Sequence, residues 1–398
     1  MKAPLLENMD ALGAAGAEPA DLALLAAAAL GERDVELLGA RADAIEFPMF
    51  NMTTGGLWRV GGTARTSCAG ASNTVGVARF SMVVKVIQSP LLWQGIGQVP
   101  PPFRAALAAN YLWRTEAQVY ASALGSVMPQ GGRLPEVFKI AELDNQRTAI
   151  WMEDVAEVAA AGWTDRCFVD AARFLGRLSG SSEARECVAA IPDASTPGAL
   201  RFFVEGVGAN VFIPAIQSDS LWRHPAVAPA ADAALVAGLR DLADRAFALV
   251  EEMTALPQLP AHGDASPQNL LVESLPAGTA AASFAVIDWG RFGLACCGFD
   301  LGQLLSGWVN QGVMGGAELY RLGPLCLEAY CAGLADAGAD VEEASVRRGH
   351  AASMAVFTGL SAIPTQKLAE QDSEALRALV AARADMARFV LDLLAATD

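Results

Sequence analysis

Residues 259–290 concentrate polar side chains at the edges of two strand-like segments, in a chain that is 53% hydrophobic. The stretch reads LPAHGDASPQNLLVESLPAGTAAASFAVIDWG and contains His262, Asp264, Asn269 and Asp288. Carboxylate and carboxamide oxygens at the mouth of a strand suit Mg²⁺, which typically takes one or two protein carboxylates and leaves its other positions to water and phosphates. The window therefore predicts a magnesium site formed by one aspartate and Asn269, with the other aspartate orienting a nucleophile.

Two other interpretations of this window are weaker. Asp264 and Asp288 could form an acid/base pair of the kind that glycosidases use, but that reading gives no role to Asn269 or to the lysine-bearing region before it. A zinc site at His262 is disfavoured, because the chain has only three histidines and no HxxxH spacing.

Length, charge and cysteine content narrow the class of protein. A chain of 398 residues predicts about two domains. It has no apolar run of about 18 residues and no positively charged leader, which predicts a cytoplasmic protein without a membrane span. A net charge of −16 disfavours nucleic acid and anionic membranes as partners and permits a cationic small substrate. Seven cysteines without metal or disulfide spacing predict reduced thiols.

Hydrophobic periodicity divides the chain into three parts. Residues 1–50 are rich in alanine, with leucines at helical spacing, and predict an N-terminal helical extension. Residues 51–157 predict a small β-rich lobe with a hinge at its end, and residues 158–398 predict a mainly helical lobe. The small lobe is predicted to contain, in chain order, a β-meander of about three strands over 56–88, one helix over 100–125, and two strands over 133–157.

The motifs of the opening window resemble those of a known enzyme family. HGDASPQN, followed by IDWG with its aspartate nineteen residues after Asn269, is similar to the H-G-D-x-x-x-x-N and I-D-[WF]-[GE] motifs of the aminoglycoside phosphotransferases. These enzymes are related to the protein kinases but phosphorylate small molecules. The resemblance implies Asp264 as catalytic base and Asn269 and Asp288 as Mg²⁺ ligands. It also implies that His262 shapes the loop by packing and hydrogen bonding.

Phosphoryl transfer also needs a cation on the nucleotide phosphates and an acid that holds this cation. FSMVVKVI places Lys85 in a strand, in a chain with only four lysines. Trp113, Glu116 and Tyr120 recur at i, i+3 and i+7, on one face of a helix predicted over 103–124. We expect this face to meet the sheet and to set Glu116 beside Lys85.

Two further segments are predicted to bind the nucleotide. RVGGTAR predicts a Gly-Gly turn between two strands whose backbone closes over the phosphates, although it matches the G-x-G-x-x-G of protein kinases poorly. TAIWMEDV resembles the family's strand before the hinge, whose backbone would hydrogen-bond the edge of adenine or guanine. The residues contributed by these two segments are Gly61, Gly62, Thr63, Met152, Glu153 and Asp154.

The spacing after IDWG distinguishes small-molecule kinases from protein kinases. Only WGRFGLACCGF separates Asp288 from Asp300, which is too short for the activation segment, ending in A-P-E, with which a protein kinase holds a peptide. GFDLGQLL resembles the corresponding segment of the kinases that phosphorylate small molecules, in which an aspartate holds the catalytic loop in place. We assign this structural role to Asp300.

These features together predict a bilobal, protein-kinase-like α+β fold with ATP or GTP in the cleft and a small-molecule alcohol as acceptor. The resemblance favours an antibiotic hydroxyl, as in resistance or self-protection. The alternatives are a metabolic kinase for a sugar, methylthioribose or choline-like alcohol, and a nucleotide-binding pseudokinase scaffold. Acceptor-binding residues are expected in the helices of 160–255 and after 300, with Asp165, Glu205 and Asp219 as unranked candidates.

Overall fold

The chain forms two compact units. Unit 1 comprises Met1–Ala121 and Leu134–Ala156, and unit 2 comprises Ser122–Arg133 and Glu157–Asp398. Unit 1 is built on a β-sheet and unit 2 is mainly helical, which confirms the predicted α+β class. The computed structural model describes residues 4–47, 51–67, 75–158, 162–275, 280–369 and 372–398.

The strands belong to three sheets. In unit 1 the strand order is β1-β2-β3-β4-β7-β6, and in unit 2 the orders are β5-β10-β9 and β11-β8. The strands are β1 (Leu5–Glu7), β2 (Val35–Ala44), β3 (Thr54–Ser67), β4 (Val75–Gln88), β5 (Gly132–Arg133), β6 (Val137–Asp144), β7 (Arg147–Glu153), β8 (Gln258–Ala261), β9 (Leu270–Ser274), β10 (Ser283–Val286) and β11 (Gly293–Cys296).

Most helices lie in unit 2. Two stretches, Val204–Phe212 and Ala355–Gly359, are π-helical, and short 3₁₀ turns include Met9–Ala15 and Pro267–Asn269. The α-helices are α1 (Pro19–Ala29), α2 (Pro101–Asn110), α3 (Thr115–Ala121), α4 (Leu124–Val127), α5 (Asp165–Gly180), α6 (Ser182–Ala190), α7 (Gly198–Phe203), α8 (Ile213–Gln217), α9 (Asp219–Trp222), α10 (Ala233–Ala255), α11 (Phe299–Asn310), α12 (Leu319–Asp336), α13 (Glu343–Met354) and α14 (Glu374–Ala395).

Helices cover both faces of the unit 1 sheet. Alternate residues of a strand point to opposite faces, so Trp151 joins the core that contains Leu22 of α1, while Ile150 joins the core that contains Ala117 of α3. Burying these side chains holds α3 against the sheet, and this packing positions the first turn of α3, where Glu116 lies.

The prediction of a separate helical extension over residues 1–50 is wrong. In the described part of this range, residues 4–47, the helical elements are α1 and a 3₁₀ turn, and β1 and β2 are strands of the unit 1 sheet. The pattern of β2 is hard to read, because a register shift between Leu37 and Gly39 interrupts the alternation of buried residues. Its small buried residues, Ala40 and Ala42, also favour helix by intrinsic propensity.

The predicted turn at Gly61–Thr63 is also wrong, as is the β-meander of three strands over 56–88. These three residues lie inside β3, paired with β2 on one side and β4 on the other. A Cβ atom on Gly62 would lie 2.2 Å from the carbonyl oxygen of Gly39 and 2.6 Å from the ring of Phe80. Gly62 therefore permits close packing inside the sheet. The segment that joins β3 to β4, residues 68–74, lies outside the described residues.

The helix predicted over 100–125 is interrupted. The chain leaves α2 at Tyr111, which has an extended backbone, and forms α3 and α4 as separate short helices. Trp113 and Tyr120 nevertheless pack against the same core as Ala117. The two strands predicted over 133–157 correspond to β6 and β7.

Two further expectations concern the thiols and membrane insertion. The cysteines in the described part of the chain form no disulfide; they are Cys167, Cys187, Cys296, Cys297, Cys326 and Cys331. Cys68 lies outside the described residues. In the described segments no single helix is long and apolar enough to cross a membrane. Met9–Ala15 and Pro19–Ala29 together have sufficient length and hydrophobicity, but they are bent by 92° relative to each other.

Candidate active site

A buried histidine fixes the HGD loop (residues 262–269), which connects β8 to β9. His262 is fully buried. Its Nε2 lies 2.9 Å from the carbonyl oxygen of Ile287, and its Nδ1 accepts the N–H of Asp264 at 3.2 Å. Burial lowers the pKa of His262, which favours a neutral ring that donates through Nε2 and accepts through Nδ1. His262 thus ties the HGD loop to the residue that follows β10.

Asp300, in the first turn of α11, holds the start of the HGD loop. Its side chain is buried, and its two oxygens accept the N–H groups of His262 and Gly263 at 2.8 and 2.9 Å. Burial raises the pKa of the Asp300 carboxyl, and the two N–H donors oppose that rise. The carboxylate therefore satisfies two backbone donors that would otherwise be buried without an acceptor.

Two residues that the sequence analysis did not assign also shape this region. Gly263 has a φ of +84°, and a Cβ there would lie 2.3 Å from the carbonyl oxygen of Arg291, so only glycine fits. Trp289 is fully buried, and its Nε1 donates to the carbonyl oxygen of Val286 at 2.8 Å. The centroid of its ring lies 4.6 Å from the centroid of the His262 ring. Both residues could have been found from the sequence, because Gly263 is the glycine of HGD and Trp289 is the tryptophan of IDWG.

Hydrogen bonds join Asn269 to Asp264 and to Ile287, the residue directly before Asp288. The side-chain amide of Asn269 donates to the carbonyl oxygen of Asp264 at 2.8 Å, and the carbonyl oxygen of Asn269 accepts the N–H of Ile287 at 3.0 Å. The residue after Ile287, Asp288, has a backbone φ of 60°. This left-handed conformation is rarely adopted by residues other than glycine. Such strain is common at functional sites, and here it sets the direction of the Asp288 side chain.

The donor atoms of this arrangement fit Mg²⁺. Because the amide nitrogen of Asn269 donates to the carbonyl oxygen of Asp264, the side-chain oxygen Oδ1 is the atom that can act as a metal ligand. Asp288 offers a carboxylate, the other type of oxygen ligand that Mg²⁺ takes. Among the described residues no group of three or more His, Cys, Asp or Glu side chains could hold a metal ion.

In unit 1, Lys85 and Glu116 form a buried ion pair. The Nζ of Lys85 lies 2.6 Å from Oε2 of Glu116, and the side chains are only 10% and 3% exposed. Lys85 lies in the middle of the sheet, opposite Leu57 of β3 and Ile150 of β7. The structure therefore places these two residues together, as the sequence predicted from the strand and the helix face.

The hinge residues are partly engaged within unit 1. The N–H of Glu153 donates to the carbonyl oxygen of Glu136 at 2.8 Å, so this group is not available to a nucleotide base. The carboxylate of Asp154 accepts hydrogen bonds from Arg59 and Ser81. Met152 is buried within the sheet. Recognition of the nucleotide base by this segment stays a prediction. The N–H of Glu153 is excluded from it, because that group donates to Glu136.

The chain belongs to the phosphotransferase enzyme family (APH), whose model matches residues 116–344. This range is more than half of the chain and contains Glu116, the HGD loop and Asp300. The suspected family is thus confirmed, and the protein is a phosphotransferase.

Several solved structures are similar to this chain. An aminoglycoside phosphotransferase from Alicyclobacillus acidocaldarius is 13% identical, with 93% of this chain and 95% of that chain covered and a TM-score of 0.47. The GDP complex of aminoglycoside 2'-phosphotransferase-IIIa is 14% identical (92% and 99% covered, TM-score 0.45). Amicoumacin kinase hAmiN, in complex with AMP-PNP, Ca²⁺ and Ami, is 10% identical (88% of each chain covered, TM-score 0.45). No curated protein matches the chain.

Replacing Asp300 with asparagine is expected to destabilise the fold by about 1–3 kcal/mol, because an amide offers one acceptor oxygen to two buried N–H groups. Turnover should fall as well, since the same N–H groups position the residues directly before Asp264. Urea unfolding monitored by tryptophan fluorescence measures the first effect. The matched control is Asp219→Asn, which alters an ion pair with Arg240 in which Asp219 is 71% exposed; it should leave the free energy of unfolding nearly unchanged. Equal stability losses in both variants would contradict the bracing role.

Proposed function

We propose that the protein transfers the γ-phosphoryl group of ATP or GTP to a hydroxyl of a small molecule in a Mg²⁺-dependent reaction. The observation that carries this proposal is the pair of hydrogen bonds that join the HGD loop to the segment before Asp288, from Asn269 to Asp264 and from Ile287 to Asn269. In the proposed site Asp264 is the base, and Asn269 and Asp288 supply the two oxygen ligands. The family assignment supports the reaction class.

Asp264 is the proposed base. Its carboxylate orients the acceptor hydroxyl for in-line attack on the γ-phosphorus and takes the hydroxyl proton. The bond from the acceptor oxygen to phosphorus forms as the bond from phosphorus to the β,γ-bridging oxygen breaks, and the nucleoside diphosphate leaves. The side chain of Asp264 is only partly buried, so an acceptor can reach it.

Asn269 and Asp288 are the proposed metal ligands. Bound Mg²⁺ would neutralise charge on the phosphate oxygens. The contribution of the chain is to fix the two ligand oxygens in advance: Asn269 is held by its bond to Asp264, and Asp288 by the bond between its neighbour Ile287 and Asn269. Ligands fixed before binding need little reorganisation during the reaction.

Lys85 is the proposed phosphate-binding cation. A buried lysine retains its charge only if a partner compensates the loss of water, and Glu116 is that partner. Gly61, Gly62 and Thr63 are not included in the proposed site, because they lie within β3 rather than in a turn. For the acceptor we propose an antibiotic hydroxyl, which the resemblance of the HGD and IDWG motifs supports; the cytoplasmic location stays a prediction.

Replacing Lys85 with methionine should lower Mg-nucleotide affinity and turnover by at least about tenfold. It should also destabilise the protein by about 3–5 kcal/mol, because the buried carboxylate of Glu116 would lose its ion-pair partner. The double variant Lys85→Met/Glu116→Gln should regain most of the lost stability but none of the lost affinity. Calorimetric titration with Mg-AMP-PNP and Mg-GDP, alongside urea unfolding, separates the two effects.

The same titration tests the proposed function. Wild-type protein should bind nucleotide in the presence of Mg²⁺ and bind it more weakly after chelation by EDTA. If the double variant binds nucleotide as well as the wild type does, the Lys85–Glu116 pair is only structural. If the wild type binds no nucleotide, the proposed function is wrong.

A further inference from the structure

Four phenylalanines form an aromatic cluster in unit 2. Phe203 lies 4.6 Å from Phe357 and 6.2 Å from Phe212, and Phe357 lies 5.5 Å from Phe299 between ring centroids. Phe299 is buried, while the other three are only partly buried. The cluster therefore presents aromatic surface that the surrounding chain does not fully cover.

The cluster is built on two π-helical segments. Phe203 is the residue directly before Val204–Phe212, Phe212 ends that segment, and Phe357 lies in Ala355–Gly359. π-helical turns account for well under 1% of residues and occur frequently at functional sites. Exposed valines on the longer segment, Val207 and Val211, extend the apolar surface; they are 37% and 46% exposed.

Two short links connect this cluster to the HGD loop. Phe299 directly precedes Asp300, whose carboxylate holds the N–H groups of His262 and Gly263. The segment that leads into α7 is joined to the chain just after Asp288: Ser195 bridges to Gly293 and its N–H donates to Phe292 at 2.8 Å. The aromatic cluster is thus linked through the backbone to the elements that position Asp264.

The acids suggested by the sequence as acceptor ligands are already paired. Asp165 contacts Arg321, Glu205 lies 3.4 Å from Arg201, and Asp219 lies 2.7 Å from Arg240. A polycationic acceptor would have to displace an arginine at each of these positions, and an exposed ion pair with such a carboxylate would contribute little to its affinity. These three acids therefore give no strong anchor for a polycation.

We propose that the aromatic cluster binds the body of the acceptor, and that the acceptor is an uncharged alcohol with a large apolar or aromatic portion rather than a polycationic aminoglycoside. This inference rests on the proposed function and adds the substrate class. Apolar area removed from water supplies the affinity, and aromatic rings add stacking with the acceptor. The hydroxyl to be phosphorylated extends toward Asp264.

The test compares acceptors of defined chemistry in Mg²⁺-dependent release of ADP or GDP. Chloramphenicol and erythronolide B represent uncharged apolar alcohols, kanamycin and neomycin represent polycations, and glucose represents a polar neutral alcohol. The double variant Phe203→Ala/Phe357→Ala should raise the KM for the apolar acceptors about tenfold or more, with nucleotide KM unchanged. The matched control is Phe247→Ala, on α10 outside the cluster and 45% exposed, which should leave both values unchanged.

The outcomes separate this inference from the proposed function. Preferential use of kanamycin or neomycin, or a KM for apolar acceptors that the double variant leaves unchanged, overturns the inference and leaves the phosphotransferase intact. A change from dimer to monomer in the double variant, seen by sedimentation, makes the cluster a contact between copies of the chain and also overturns it. Nucleotide binding without release for any acceptor overturns the proposed function and the inference together.

Discussion

Replacing Asp264 with asparagine is expected to lower the rate of phosphoryl transfer about 10²–10⁴-fold, the range that a positioned general base contributes. Asparagine has nearly the same shape but cannot take the hydroxyl proton. The backbone groups of residue 264 that hold the loop remain in place: the N–H that donates to His262 and the carbonyl oxygen that accepts from Ser266 and Asn269.

This variant should therefore separate chemistry from folding. Its free energy of unfolding and its affinity for Mg-nucleotide should match the wild type, while product formation in single-turnover experiments collapses. Mass spectrometry of the acceptor measures that product directly. A single-turnover rate within about tenfold of wild type would show that Asp264 is not the base.

Replacing Asp288 with asparagine is expected to abolish Mg²⁺-dependent nucleotide binding and to lower turnover about 10²–10³-fold or more, because the charge that would hold the cation is lost. The choice of asparagine matters, since residue 288 has a φ of 60°. Asparagine tolerates the left-handed region almost as aspartate does. The variant thus removes charge without adding backbone strain.

A second substitution at the same residue provides the control. Asp288→Ala should lose the same activity but should also be less stable by about 1–2 kcal/mol, the cost of placing an ordinary side chain in the left-handed region. Titrations with Mg²⁺ and Mn²⁺ in the presence of AMP-PNP, followed by urea unfolding, distinguish the two variants. Mg²⁺-dependent nucleotide binding by Asp288→Asn at wild-type strength would contradict the assignment of Asp288 as a metal ligand.

The features that sequence patterns predicted well are local. The short apolar runs around residues 270 and 284 are strands, and the polar residues between them lie in loops, because strand ends and polar loops are encoded by neighbouring residues. Lys85 and Glu116 were expected to be adjacent because a strand and a helix face both have a fixed period, and their charged groups lie 2.6 Å apart.

The features that sequence patterns did not predict depend on distant contacts. The alanines of β2 favour a helix, but pairing with β1 and β3 makes it a strand. Gly62 reads as a turn, but its role is to admit Phe80 and the backbone of Gly39. The link from His262 to Ile287 and the φ of Asp288 follow from how two loops meet, and no spacing in the sequence encodes either.

The central claim is that this chain phosphorylates a small-molecule alcohol, and the most direct test is release of ADP or GDP by purified wild-type protein with Mg²⁺. The panel of acceptors should include aminoglycosides, macrolides, nucleoside antibiotics, chloramphenicol and sugars, with Asp264→Asn as the paired control. We predict release that depends on an acceptor and disappears in Asp264→Asn. Release that is equal with and without every acceptor, or that persists unchanged in the variant, would contradict the account.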